Sequence, residues 1–218
     1  MKESIFNSHH ISIDKQALAK LPCAVFKGDI IVIDDERKLD AVITELKSAE
    51  ILGFDTETKP AFRKGVMNNV SLMQIATKDK CYLFRINKLG LDNRLIEIIE
   101  DENLVKVGLS LHDDFHNLNR IKQLNPAGFI DLQQFVKEFH IADNSLTRIH
   151  AILFGRRISK GQRLSNWEAT ELTEPQKNYA ALDAYSCIRI YEYLQSGNFK
   201  PEECKYLTEI PEPPVKEQ

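Results

Sequence analysis

Four carboxylates sit where carboxylates are costly. Asp55 and Glu57 close the apolar run Ile51-Leu52-Gly53-Phe54, Asp114 follows Val107-Gly108-Leu109-Ser110-Leu111, and Asp183 follows Tyr179-Ala180-Ala181-Leu182. An ionised carboxylate withdrawn from water costs several kcal/mol unless something positive meets it. These stretches hold no Lys or Arg. The pattern therefore calls for a bound divalent cation, held by acidic oxygens, which would neutralise the group and also supply chemistry.

The elements that must position these acids follow from hydrophobic periodicity. Ile30 to Ile33 reads as a short strand, Glu36 to Ala49 as an amphipathic helix burying Leu39, Val42, Ile43 and Leu46, and Ile51 to Asp55 as a strand covered on both faces. Val70 to Ala76 and Cys81 to Phe84, joined at Thr77 to Lys80, predict an antiparallel hairpin. Beyond it, helices are predicted over 91–100, 111–124, 132–140 and 146–153, strands over 104–108 and 129–132, a basic loop over 155–166 and a long helix over 174–194. The alternation of periods predicts a mixed α/β sheet with helical crossovers.

Within these elements the acids acquire directions. Side chains two apart on a strand share a face, so Asp55 and Glu57 can grip one ion. At 100° per residue, Asp114 falls on the apolar arc of Leu111, Phe115, Leu118 and Ile121, while Asp113 points away. Thr173-Glu174-Pro175-Gln176 forms a capping box with Pro in the first turn. From that start Tyr179 and Asp183 share a helix face with Cys187, Ile190 and Leu194.

Composition sets the frame. At 218 residues and 43% hydrophobic content, the chain can bury a sizeable core. It reads as an N-terminal extension (1–29), one folded domain (30–196) and a loosely held tail (197–218). The net charge of −3 gives no global attraction to polyanions, so nucleic acid must be met by a local basic patch. Four scattered cysteines without a C-x-x-C pair or a leader suggest reduced thiols and a cytoplasmic setting. No apolar run approaches a membrane span, so no membrane association is expected.

Phe54-Asp55-Thr56-Glu57-Thr58, Val107-Gly108 through Asp114, and Tyr179 with Asp183 together resemble the three motifs of the DEDD 3′–5′ exonucleases, in the branch that carries tyrosine in its last motif. Leu146-Thr147 through Ser159-Lys160-Gly161, Ser165-Asn166-Trp167, Leu172-Thr173 and Tyr179 to Tyr185 are especially similar to ribonuclease D and Werner-type exonuclease domains. The resemblance spans roughly residues 30 to 195 and implies a ribonuclease H-like mixed sheet of five to six strands flanked by helices. It also suggests a free-standing catalytic domain.

The resemblance implies hydrolysis of phosphodiester bonds at the 3′ end of DNA or RNA, releasing 5′-mononucleotides with the help of two Mg²⁺ or Mn²⁺ ions. Asp55 would bridge the ions, Glu57 and Asp183 would complete the first, and Asp114 would hold the second through water. Tyr179 would aim the attacking water, and Thr56 would lie near the terminal sugar. Arg63, Lys64, Arg156, Arg157, Lys160 and Arg163 are the candidate phosphate contacts, and Trp167 is either a base-stacking face or a packing anchor. The expected partner is nucleic acid with a free 3′ end, single-stranded or with a 3′ overhang.

Three other readings have weaker support. His112 and His116 have zinc-protease spacing, but Asp113 stands where that motif needs Glu, and no third ligand is evident. An aspartate-phosphatase pattern fails because Glu57 and Lys59 replace its second Asp and its Thr. The alternative of a different class is a catalytically inactive nucleic-acid-binding or scaffold protein of the same fold.

Overall fold

A computed structural model describes residues 5–63, 65 and 67–210. In chain order its strands and α-helices are β1 (His9–Ile11), α1 (Lys15–Lys20), β2 (Asp29–Ile33), α2 (Leu39–Lys47), β3 (Ile51–Thr58), β4 (Val70–Ala76) and β5 (Lys80–Phe84). There follow α3 (Ile86–Leu89), α4 (Asn93–Glu100), β6 (Val105–Gly108), α5 (Leu111–Asn119), β7 (Phe129–Asp131), α6 (Leu132–Phe135), α7 (Leu146–Phe154), α8 (Glu174–Gln195) and β8 (Leu207–Glu209).

Six strands form one mixed sheet in the order β2-β5-β4-β3-β6-β7. The expected hairpin is β4–β5, antiparallel, and β3 joins it antiparallel on one side while pairing parallel with β6 on the other. Alternation along β3 divides the core between two layers. Leu52 and Phe54 face a cluster built with α2, α4 and α5, whereas Ile51 faces the layer holding α7 and α8. Helix α8 crosses that second face, packing on β3, β4, β5 and β6. Among the described residues, no helix is long and apolar enough to cross a membrane.

Gly53 explains how closely α8 approaches the sheet. A Cβ built there would lie 2.0 Å from the Ala184 carbonyl oxygen, so only glycine lets helix and strand touch at this point. That contact seats Asp183 above the end of β3.

The structure departs from the sequence reading in three places. Strand β3 runs on to Thr58, with a register shift at Glu57/Thr58, so both motif acids lie inside the ladder. Helix α5 stops at Asn119, whose side-chain oxygen accepts the Leu124 amide and closes a turn in place of further helix. The residues read as extension and loose tail pair with each other: β1 and β8 form a two-stranded antiparallel sheet, and Ile11 and Ile13 are fully buried in the main core. Both strands have only three residues, too short for a clear periodic signal. Residues 211–218 of the expected tail lie outside the described residues.

Candidate active site

Three acids meet on the α8 face of the sheet. Carboxylate oxygens of Asp55, Glu57 and Asp183 all lie within 4.8 Å of one another. Glu57 and Asp183 are buried, while Asp55 keeps part of its surface open. Removal from water, compounded by mutual repulsion, pushes Asp55 well above the usual carboxylate range. Glu57 rises to about 9 through desolvation and then the charges of Asp183 and Asp114, with Arg163 opposing. Asp183 rises to about 7 through desolvation, opposed by the neighbouring Tyr179 hydroxyl and by Lys160. An all-oxygen set of buried acids, short of cationic partners, fits a hard divalent cation.

Asp114 stands apart from this trio. It accepts a hydrogen bond from the Thr56 hydroxyl, which leaves β3 on the face opposite Asp55 and Glu57. Desolvation raises Asp114 to about 7 despite that bond. Its charge is nonetheless near enough to raise Asp55 and Glu57. Asp113 lies in solvent beside His112. The entry to α5 is held by Asp131, whose carboxylate accepts the amides of Ser110 at 3.1 Å and Leu111 at 3.0 Å, with Ser110 left-handed at φ 64°.

The third motif is built as its capping box implies. Thr173 and Gln176 cap α8 reciprocally, and the buried Gln176 also donates to the Asn166 carbonyl. This ties Ser165-Asn166-Trp167 to the helix start. Tyr179 is driven far above its ordinary pKa by burial and then by Asp183 and Glu57, so its hydroxyl stays protonated at neutral pH.

The expected substrate contacts divide. Lys160 and Arg163 are exposed and lie close enough to the acids for their charge to favour the ionised forms. Arg156 and Arg157 turn instead toward the N-terminal segment, donating to the carbonyls of Cys23 and Leu21. Of the two readings of Trp167 the packing anchor holds and base stacking is corrected: it is fully buried, with its ring 6.1 Å from that of Tyr179, so it packs the tyrosine. Thr56 is half-buried and its hydroxyl donates to Asp114, which leaves its oxygen able to accept. Arg63 is exposed, and Lys64 lies outside the described residues.

Two contributors escaped the sequence reading. Gln74 sits directly opposite Asp55 in the β3–β4 register, fully buried, and its amide nitrogen and oxygen lack partners among the described residues. The only signal was a long polar side chain in the middle of the apolar stretch Leu72 to Ala76. Arg85, also buried, donates to the carbonyls of Ala169 and Thr170 and so anchors the segment that joins the basic loop to α8. Its distance in sequence from that loop concealed the role.

Comparison with known proteins assigns the class. The 3′–5′ exonuclease domain model matches residues 30–197, so the chain belongs to the 3′–5′ exonuclease family. The mouse bifunctional 3′–5′ exonuclease/ATP-dependent helicase WRN is 29% identical over 184 residues, covering 80% of this chain but 13% of that protein. An Arabidopsis thaliana 3′–5′ exonuclease is 33% identical over 154 residues, covering 66% of this chain and 52% of the relative. The chain thus spans about half or less of these two relatives. Among solved structures, the Aedes aegypti Nibbler EXO domain superposes with a TM-score of 0.71 at 22% identity, covering 83% of this chain and 97% of that one. Trypanosoma brucei RNase D in complex with RNA U12 gives 0.67 at 19% identity, covering 78% and 63%. Both share the ribonuclease H-like fold.

Proposed function

We propose that this protein is a metal-dependent 3′–5′ exonuclease that removes 5′-mononucleotides from single-stranded DNA or RNA ends. The observation that carries this reading is the meeting of Asp55, Glu57 and Asp183 within 4.8 Å, in a member of the 3′–5′ exonuclease family. Asp55, Glu57 and Asp183 would hold Mg²⁺ or Mn²⁺, with Asp114 assisting a second ion through water. When bound, such ions acidify water and stabilise charge on the phosphate undergoing displacement.

The chain's own groups do the rest. The protonated Tyr179 cannot act as a base near neutral pH, so beside Asp183 it orients the attacking water. Lys160 and Arg163 would receive the scissile phosphate, which carries the charge they complement. Water adds to phosphorus, the bond to the 3′-oxygen breaks, and that oxygen takes up a proton.

A time course on labelled single- and double-stranded DNA and RNA with free 3′-hydroxyls tests this reading. Stepwise shortening with Mg²⁺ or Mn²⁺, abolished by Asp55→Ala, is expected. Inertness with both metals would overturn it and leave a binding protein of the same fold.

A further inference from the structure

Two cavities open side by side on the flank of α8 that faces the N-terminal segment. The smaller, about 180 Å³, touches Tyr179 and is walled by Ala24, Val25, Ser159, Gln162 and Leu182 among others. The larger, about 790 Å³, shares Ala24, Val25 and Leu182 with it and extends to Lys27, Arg156 and Arg189. One groove therefore leads away from the reactive tyrosine.

Its far end carries cations that the fold does not neutralise. Lys78, in the same groove, is taken up by Glu50 and Glu192. Lys27, Arg156 and Arg189 have no carboxylate partner among the described residues, although Asp29 and Asp79 also line the groove. The Arg189 guanidinium lies 4.0 Å from the centre of the Phe154 ring, a stacked plane whose other face can receive a base. Tyr179 and Arg189 are both on α8, ten residues apart, or about 15 Å along its axis. A stacked strand rising about 3.4 Å per nucleotide spans that distance in about four steps.

We propose that this groove is the track for the single strand upstream of its 3′ end, with Lys27, Arg156 and Arg189 taking phosphates and the Arg189–Phe154 stack taking a base about four nucleotides from the terminus. The assignment rests on the exonuclease reading and adds where the rest of the substrate lies. Segment 24–28, ahead of the family match, forms one wall.

The test compares an oligonucleotide of about 12 nucleotides, long enough to fill such a site, with a dinucleotide, in wild type and in the double variant Lys27→Gln/Arg189→Gln. The expected result is a KM for the long strand raised about tenfold, a salt slope reduced by about 1.4, and dinucleotide hydrolysis unchanged. Equal losses on both substrates, or no loss on the long one, would overturn the track. Fluorescence anisotropy of the labelled long strand in EDTA supplies a second readout. Should wild type hydrolyse nothing, the exonuclease reading fails, whereas unchanged anisotropy in the double variant refutes the groove by itself. Competition by an acidic peptide but not by the oligonucleotide would likewise refute it.

Discussion

Two sets of buried or half-buried acids in this protein show opposite behaviour. Asp143 receives the Ile13 amide on one oxygen and Arg148 on the other, each at 2.9 Å. Asp131 receives the amides of Ser110, Leu111 and Gln133. Asp55, Glu57 and Asp183 instead face one another, with the Tyr179 hydroxyl and the Thr56 amide as their nearest polar neighbours. Acids with donors on both oxygens hold the architecture together. Acids aimed at other acids weaken the metal-free fold and hold a place for positive charge.

The sharpest way to break this contrast is substitution within the trio. Asp55→Asn should lower kcat by about 10³-fold or more, yet raise the melting temperature of metal-free protein by about 3 °C, the equivalent of about 1 kcal/mol for a chain of this size. Activity assays and calorimetry in EDTA read both effects. A lower melting temperature would show that Asp55 already has a stabilising partner. Asp143→Asn should do the reverse, costing about 1–3 kcal/mol in urea titrations through its weakened donors, with kcat of the folded enzyme near wild type.

The pH dependence of metal-free protein separates the sets further. Asp114 and Asp183 near 7 and Glu57 near 9 bind protons in the folded state that the unfolded chain has already released. Stability should therefore be greatest near the ordinary carboxylate range and fall as pH rises through 7 and toward 9. Melting curves in EDTA at pH 5 and 8 should differ by about 5 °C, lower at pH 8; saturating Mn²⁺ should narrow the gap. The smallest effect belongs to the neighbouring doublet. Asp113→Asn should leave initial rates within about twofold of wild type because that carboxylate is in solvent, whereas Asp114→Asn should abolish activity.

Much of this was legible in the chain because the informative signals are local. The capping box at Thr173, the β4–β5 hairpin and the two faces of β3 each depend on residues a few positions apart, and all three stand in the fold. What escaped was non-local. Nothing around Trp167 announced that Tyr179 would cover it, nor around Thr56 that Asp114 would claim its hydroxyl. Arg85 reaches a loop more than eighty positions away, and the β1–β8 pair joins segments nearly two hundred apart. Such pairings depend on chain closure, which sequence spacing does not encode.

The amide of Ile13 gives the opening residues an importance their brevity conceals. It is one of two donors that satisfy buried Asp143, and its side chain is sealed in the main core. An excised fragment trimmed to the family boundaries at 30–197 would retain all four motif acids. It would also uncover Asp143, open the core at Ile11 and Ile13, and strip away the Ala24 to Gly28 wall. The stretch matched by the family model is therefore shorter than the packed core around it.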